Sequence, residues 1–290
     1  MLANVAIGIS VIAMLSWGLG DFLIQKSSRR LGDWETLFVI TFFGTIILLP
    51  FSYRELPAIL GNTRDLSILL GSAVLLTAAA IFEIESFRRG KMSVVEPMLP
   101  FEIPTAAVLA AVILGDQMSA LQIALIVFLI IGLFLVSFRG RIFSLRYFAE
   151  KGIFLGLIGA AIMGVADFFL GWGSCATDPI VANLVLNIVM AAVSFLVLVA
   201  TGRIKRVIPD VSKNRGLALA MSIADNIGWV GYAFAMAVIP IGVATGLSET
   251  SCIIAVCLGL FMNKEKLQSH QKTGLFVALL SAIVLAFVTA

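Results

Sequence analysis

The sequence contains few charged side chains, and their scarcity excludes an ordinary soluble domain. Asp, Glu, Lys and Arg make up 13% of the 290 residues, hydrophobic types make up 60%, and the mean hydropathy is +1.08. A soluble domain carries about 25% charged residues. The chain has a single histidine and three cysteines without metal-ligand spacing. We therefore predict no metal site, no cofactor and no disulfide framework.

Long apolar blocks take the place of the missing charges. Each block holds about 20 residues, which is the length needed to cross about 30 Å of hydrocarbon. Ten blocks are separated by short loops, at 4–26, 34–53, 66–88, 93–114, 119–138, 152–173, 179–200, 214–236, 241–262 and 270–289. The pattern predicts an all-α polytopic membrane protein with ten transmembrane helices. The first block lacks the basic start and the cleavage signature of a signal peptide, so we expect it to be a span.

The basic residues lie almost entirely in alternate loops. Of the 20 Lys and Arg residues, 18 lie in or beside odd-numbered loops, and only Arg54 and Arg64 lie in even-numbered ones. Such a bias places the odd loops in the cytoplasm and both termini outside, in a multi-pass protein of the plasma membrane. Because the basic residues are scattered beside the ends of spans, we expect no nucleic-acid partner.

The chain repeats itself at an offset of about 146 to 149 residues. GLGDF at 18–22 matches GVADF at 164–168, and the block 93–122 aligns with 242–271. Each unit holds five spans, so the second unit enters the membrane from the opposite side. Inverted repeats are typical of transporters, whose site lies near the midplane between the halves. We predict three parts: a first repeat at 1–140, a cytoplasmic basic linker at 141–151 and a second repeat at 152–290.

Several short motifs accompany this repeat. They are the Trp-Gly pair at 17–18, Pro104 about twelve residues before Asp116, and Asn-Lys-Glu-Lys at 263–266. Together they resemble the EamA-type repeat of the drug/metabolite transporter superfamily, and the resemblance covers nearly the whole chain. It implies a ten-helix carrier that works by alternating access. It also implies a central cavity lined by the first, third, fourth, sixth, eighth and ninth helices.

Acidic residues occur inside the predicted spans, where basic residues do not lie deep. Eight of the 17 acids fall there: Asp21, Glu83, Glu85, Glu96, Glu102, Asp167, Asp225 and Glu249. An ionised carboxylate facing lipid at the bilayer centre would cost about 3 kcal/mol, so these groups should face protein or water. Glu85 and Glu96 lie beside a basic cluster at 88–91, and we expect ion pairs there. Glu83 and Glu85 point about 200° apart on a helix, and we select the deeper Glu83 for the cavity.

The first helix of each repeat carries an aspartate on a candidate site face. Trp17 and Asp21 share one face at a spacing of four, and Asp167 occupies the matching position in the second repeat. Such a pair suits two alternating gates. The alternative is that each aspartate tethers a neighbouring helix through its backbone.

The eighth and ninth helices carry a candidate cation site. Asp225, Trp229 and Tyr232 follow one stripe at i, i+4 and i+7, and Ser248 and Glu249 lie on the next helix. A carboxylate beside aromatic faces attracts a cation by charge pairing and by cation–π interaction. The alternative is a stripe that only packs helices together.

The fourth span contains three prolines around a glutamate. Pro97, Pro100 and Pro104 remove backbone donors close to Glu102. Broken helices at membrane depth occur only against protein or water. We therefore predict a gate or hinge beside the cavity, with a structural kink as the alternative.

These features predict a secondary active transporter of small polar or amphipathic metabolites. Intramembrane acids without basic partners favour amine-bearing or cationic substrates and either proton coupling or exchange. The chain has no GxxxxGK[ST] motif for ATP. We expect a monomer or homodimer in the lipid bilayer, with no enzymatic activity. An intramembrane lipid-modifying enzyme and a non-transporting scaffold or receptor stay open as alternatives.

Overall fold

The protein is an all-helical bundle, as the apolar blocks predict. The computed structural model describes residues 2–90, 95–137, 151–254 and 268–290, and none of these forms a strand. The α-helices follow in chain order: α1 (Leu2–Ser28), α2 (Asp33–Ser52), α3 (Leu56–Gly61), α4 (Thr63–Arg89), α5 (Glu102–Leu109), α6 (Ala120–Ser137), α7 (Lys151–Ala176), α8 (Pro179–Ala200), α9 (Ile204–Lys213), α10 (Arg215–Met236), α11 (Ile241–Ser248) and α12 (Ser269–Thr289).

The helices account for the ten predicted spans. By length and composition, α1, α2, α4, α7, α8, α10 and α12 can each cross a membrane. Three shorter apolar stretches, Met98–Leu114, Ala120–Val136 and Ile241–Ile254, occupy the fourth, fifth and ninth predicted spans. The prediction of a polytopic helical membrane protein is therefore confirmed. The end of the ninth predicted span and nearly all of the predicted linker lie outside the described residues.

The fourth span is broken where its prolines predict. A 3₁₀ turn over Glu96–Phe101 contains Pro97 and Pro100, and it leads directly into α5. Pro104 lies in the first turn of α5, where a missing backbone donor is tolerated. A π-helical turn over Ala110–Leu114 follows and ends at Gly115, whose φ of 70° suits glycine. Whether this break moves as a hinge stays a prediction.

The helix contacts follow a pseudo-two-fold pattern. The first helix of each repeat packs against the third long helix of the other, as α1 with α10 and α7 with α4. The remaining spans pair with their own counterparts, as α2 with α8, α5 with α11 and α6 with α12. Two halves that exchange partners in this way form the inverted repeats of a transporter fold.

Two matching glycines show the same relation at the level of single residues. A Cβ at Gly18 would lie 3.0 Å from the carbonyl oxygen of Ser251, and one at Gly164 would lie 2.5 Å from that of Glu102. Gly18 and Gly164 both belong to the repeated motif, and Glu102 and Ser251 are 149 residues apart. The offset equals that of the aligned fourth and ninth spans.

Ion pairs hold helix ends together beside the first and third loops. Glu85 pairs with Arg88, as its position predicts, and the Arg88 Nε lies 2.9 Å from Asp33 Oδ1. Glu35, whose side chain is 2% exposed, accepts a hydrogen bond of 2.6 Å from Arg203 at the start of α9. The acids of the second helix therefore stabilise helix ends and do not reach the cavity.

Candidate functional site

A cavity lies between the two halves of the bundle. The space that the centres of water-sized molecules can occupy measures about 100 Å³. Its lining comes from α1, α2, α4, α7, α8 and α10 and from the fourth and ninth spans. Helices α2 and α8 thus contribute in addition to the six helices that the family resemblance implies.

The cavity extends from the middle of the bundle toward the odd-numbered loops. Its lining residues on α1 run from Trp17 to Ile24, and those on α4 run from Leu76 to Phe87. Both sets lie from the midpoint of their helix toward the end that enters an odd loop. The lining on α8, from Asn183 to Met190, lies nearer the even-loop end of its helix, so the cavity reaches past the middle of the bundle while it extends toward the side of the odd loops.

On the side of the even-numbered loops, the end of the fourth span and the start of the ninth span pack closely against each other. Asp116 Oδ2 accepts a hydrogen bond of 2.8 Å from the backbone N–H of Ile241, the first residue of α11. A Cβ at Gly242 would lie 2.6 Å from the Cβ of Ala107, so the two backbones approach closely. The Asp116 side chain therefore caps a helix of the other repeat, and Glu265, which occupies the aligned position in the second repeat, lies outside the described residues.

Five acidic side chains line the cavity, and none of its lining residues is Lys, Arg or His within the described part of the chain. The acids come from both repeats: Asp21, Glu83, Glu102, Asp225 and Glu249. Polar lining without charge comes from Thr41, Asn183, Asn187 and Ser251, and the remaining lining is apolar or aromatic. The cavity is therefore strongly anionic when its carboxyl groups are ionised.

One acidic pair lies where α1 crosses α10. A Cβ at Gly20 would lie 3.6 Å from the backbone nitrogen of Asp225, and the Asp21 and Asp225 carboxyl groups are near enough for their like charges to repel each other. Trp17 and Trp229 lie beside them, with ring centroids 5.1 Å apart in an edge-to-face arrangement at 71°. We call these four residues the first subsite.

A second acidic group lies where the fourth span meets the ninth span and α7. The Glu102 carboxyl lies near enough to those of Glu249 and Asp167 for their like charges to repel one another. Asp167 is 1% exposed and does not line the cavity. The Glu102 carboxyl and the Tyr232 hydroxyl lie close to its carboxyl group, but neither of its oxygens has a partner in strict hydrogen-bond geometry among the described residues. We call Glu102, Asp167 and Glu249 the second subsite.

Glu83 on α4 lies within electrostatic reach of both subsites. Its carboxyl interacts with Glu249 and Asp167 and also with Asp21 and Asp225. A Cβ at Gly159 would lie 2.8 Å from Glu83 Cγ, so α7 approaches α4 closely at this point. The two subsites therefore belong to one connected anionic surface.

The structure brings most of the predicted site residues together. Seven of them line the cavity: Trp17, Asp21, Glu83, Glu102, Asp225, Trp229 and Glu249. Three others are buried and do not line it: Asp167, Tyr232 and Ser248. Tyr232 contacts the Trp17 ring at 5.1 Å, and its hydroxyl shares a hydrogen bond of 2.7 Å with Thr245 Oγ1. The predicted prolines lie in the segment that carries Glu102.

Sequence reasoning missed a group of asparagines. Asn183 and Asn187 of α8 line the cavity, and Asn187 Nδ2 donates to Asn226 Oδ1 at 3.3 Å. Asn226 in turn donates to the carbonyl oxygen of Ile40 at 3.2 Å. A Cβ at Gly44 would lie 2.1 Å from Asn226 Oδ1, so glycine leaves room for this amide. Two asparagines four residues apart in an apolar span were the available signal.

The acids of the cavity do not gather into a group with metal-ligand geometry in the part of the chain that the structure describes. Within the ranges that the structure describes, no group of three His, Cys, Asp or Glu side chains could hold a metal ion.

Comparisons with known proteins point to a transporter fold. The model of a family described as the EamA-like transporter family matches residues 4–138 and 150–287. No curated protein matches the chain. A solved structure, described only as the crystal structure of a protein, matches with a TM-score of 0.72 and 13% identity, over 98% of this chain and 97% of its own. A likeness at that identity shows the fold alone.

Proposed function

This chain belongs to the EamA-like transporter family, and we propose that it is a secondary active transporter of small amine-bearing cations. In the proposed cycle the substrate exchanges with protons, and the cavity opens alternately to the two sides of the membrane. Family membership supports the transport role in general. The chemistry of the cavity supports the substrate class and the coupling.

The single observation that carries the proposal is a cavity lined by five acids and no Lys, Arg or His among the described residues. Each ionised carboxylate at membrane depth is expensive unless an opposite charge accompanies it. Bound cations or protons are therefore the two available ways of balancing the charge. A carrier that alternates between them exchanges a cation for protons.

The aromatic residues support an organic cation. Trp17 and Trp229 both line the cavity beside Asp21 and Asp225. A cation over an indole face gains about 0.5 to 2 kcal/mol, most when the site is desolvated. Sugars and carboxylates carry no positive charge, so with such substrates protons alone would have to balance the acids. A non-transporting scaffold would have no use for an acid-lined cavity.

A ligand screen followed by a transport assay tests the proposal. In a thermal-shift screen of purified protein against amines, amino acids, nucleosides and sugars, only amine-bearing cations should stabilise the protein. The same amines should enter proteoliposomes when a pH gradient is imposed, and proton movement should accompany their uptake. Stabilisation by sugars or nucleosides alone, or amine uptake without proton movement, would contradict the proposal.

Matched variants connect that activity to the cavity. Asp225→Asn and Glu249→Gln should abolish transport while the protein stays folded, because each removes a lining carboxyl and keeps the side-chain shape. Glu55→Gln is the control, since Glu55 is exposed and lies outside the cavity. Full transport by both cavity variants would overturn the site.

A further inference from the structure

We propose that the substrate carries two cationic groups joined by an apolar spacer, as a diamine does, and that it binds with one group at each subsite. The inference rests on the proposed function and deepens it, because it assigns a substrate class to the same cavity. It follows from the division of the acids into two groups that different helices hold.

The two acidic groups have separate structural supports. Asp21 and Asp225 are held by the packing of α1 on α10, where Gly20 approaches the backbone of Asp225. Glu102 and Glu249 are held by the packing of the fourth span on the ninth. Each group offers at least two carboxyls, and an ammonium group between two carboxylates forms charge-assisted hydrogen bonds with both. The cavity thus offers two positions for an ammonium group.

Buried carboxyl oxygens in and beside the second subsite lack a hydrogen-bond partner. Both Asp167 oxygens and Glu83 Oε1 are buried and lack a hydrogen-bond partner among the described residues. Buried polar atoms in proteins normally have a partner. A cation at Glu102 and Glu249 would lie beside Asp167 and supply the missing positive charge.

The surface between the acids suits a hydrocarbon spacer. Much of the lining is apolar, and it includes Leu76 and Ala80 of α4, Met163 of α7 and Leu186 of α8. Burial of each methylene group of the spacer adds to the binding free energy. A monoamine can occupy only one subsite, whereas a diamine occupies both and buries its chain between them. Two separate monoamines could also fill both subsites, but no shared spacer would then join the two ammonium groups.

The test compares amines of matched length on the full-length protein. We expect 1,4-diaminobutane or 1,5-diaminopentane to bind at least about tenfold more tightly than butylamine or pentylamine, as measured by isothermal titration calorimetry. In Asp225→Asn or Glu249→Gln, the diamine should fall to the affinity of the monoamine. In Glu55→Gln it should keep its wild-type affinity.

The possible results separate the two proposals. If monoamines and diamines bind and are transported equally well, the two-subsite inference is wrong and the proposed function stands. If no amine binds or is transported, both proposals fail. If a cavity variant does not fold, the comparison of amines on the wild-type protein still decides the inference.

Discussion

Replacing Gly228 with alanine should disturb the aromatic wall of the first subsite. A Cβ at this position would lie 2.4 Å from Nε1 and 2.5 Å from Cδ1 of Trp17. Ordinary van der Waals contact begins at about 3.4 Å, so the indole would have to withdraw by about 1 Å. It has little room to do so, because Trp17 is 7% exposed and its ring contacts those of Trp229 and Tyr232, each at 5.1 Å between centroids.

The expected cost combines two opposing effects. Overpacking of a closely packed interior costs about 1 to 3 kcal/mol. Alanine is favoured over glycine inside a helix by about 0.5 to 1 kcal/mol. Gly228→Ala should therefore lower the free energy of unfolding by up to about 2.5 kcal/mol. Because Trp17 lines the cavity, the affinity for cationic amines should fall as well.

The control lies on the same helix. A Cβ at Gly216 would meet nothing within 4 Å, so Gly216→Ala should leave the free energy of unfolding unchanged or raise it by up to about 1 kcal/mol. Unfolding by SDS in mixed micelles measures both variants, and calorimetry measures amine binding. Equal stability and equal amine binding in the two variants would refute the proposed packing of Trp17 against α10.

Two further changes test contacts that the sequence did not predict. Asp116→Ala should lower the free energy of unfolding by about 1 kcal/mol, because the backbone N–H of Ile241 loses its acceptor. Asp116→Asn should retain most of the stability, because the asparagine oxygen can accept the same hydrogen bond. An asparagine variant as unstable as the alanine variant would contradict this explanation. Arg203→Gln should cost about 1 to 3 kcal/mol, because it leaves the buried Glu35 carboxylate without its partner. Adding Glu35→Gln should recover much of that loss in the same SDS titration, because it removes the unpaired charge. A double variant less stable than Arg203→Gln alone would contradict this explanation.

The membrane fold could be predicted because it depends on features that are continuous in sequence. A span needs about 20 apolar residues, and the repeat needs only a recurring pattern such as GLGDF and GVADF. The proline-rich stretch likewise breaks where Pro97 and Pro100 stand. These are local properties, and the tertiary structure does not override them.

Positions around the cavity were harder to predict because they depend on how far each helix is rotated and shifted. Asp225, Trp229 and Tyr232 share one stripe, yet only the first two line the cavity. The Tyr232 hydroxyl reaches Thr245 instead. A period of 3.6 residues identifies a face of a helix, but the width of that face is decided by the neighbouring helix.

The contact of Asp116 with Ile241 was hidden for a different reason. An acid at a span boundary is equally suited to the N-terminus of any nearby helix, and sequence order favours the next one. Here the partner belongs to the other repeat, 125 residues away. Only the packing of the fourth span on the ninth brings the two together.

The acids also divide into a symmetric and an asymmetric set. Asp21 and Asp167 occupy the same position in the repeated motif, but Asp21 lines the cavity, whereas Asp167 is 1% exposed behind it. Inverted repeats alternate when the two halves exchange conformations, and the exchange would bring Asp167 to the accessible position and bury Asp21. Glu83 has no acidic counterpart in the second repeat. Gly159 of α7 packs on Glu83 of α4, and the matching contact between α1 and α10 joins Ala13 to Gly231, so a glycine stands at the position that corresponds to Glu83. The symmetric pair is therefore suited to a role in both halves of a transport cycle, and the asymmetric acids are suited to distinguishing one substrate from another.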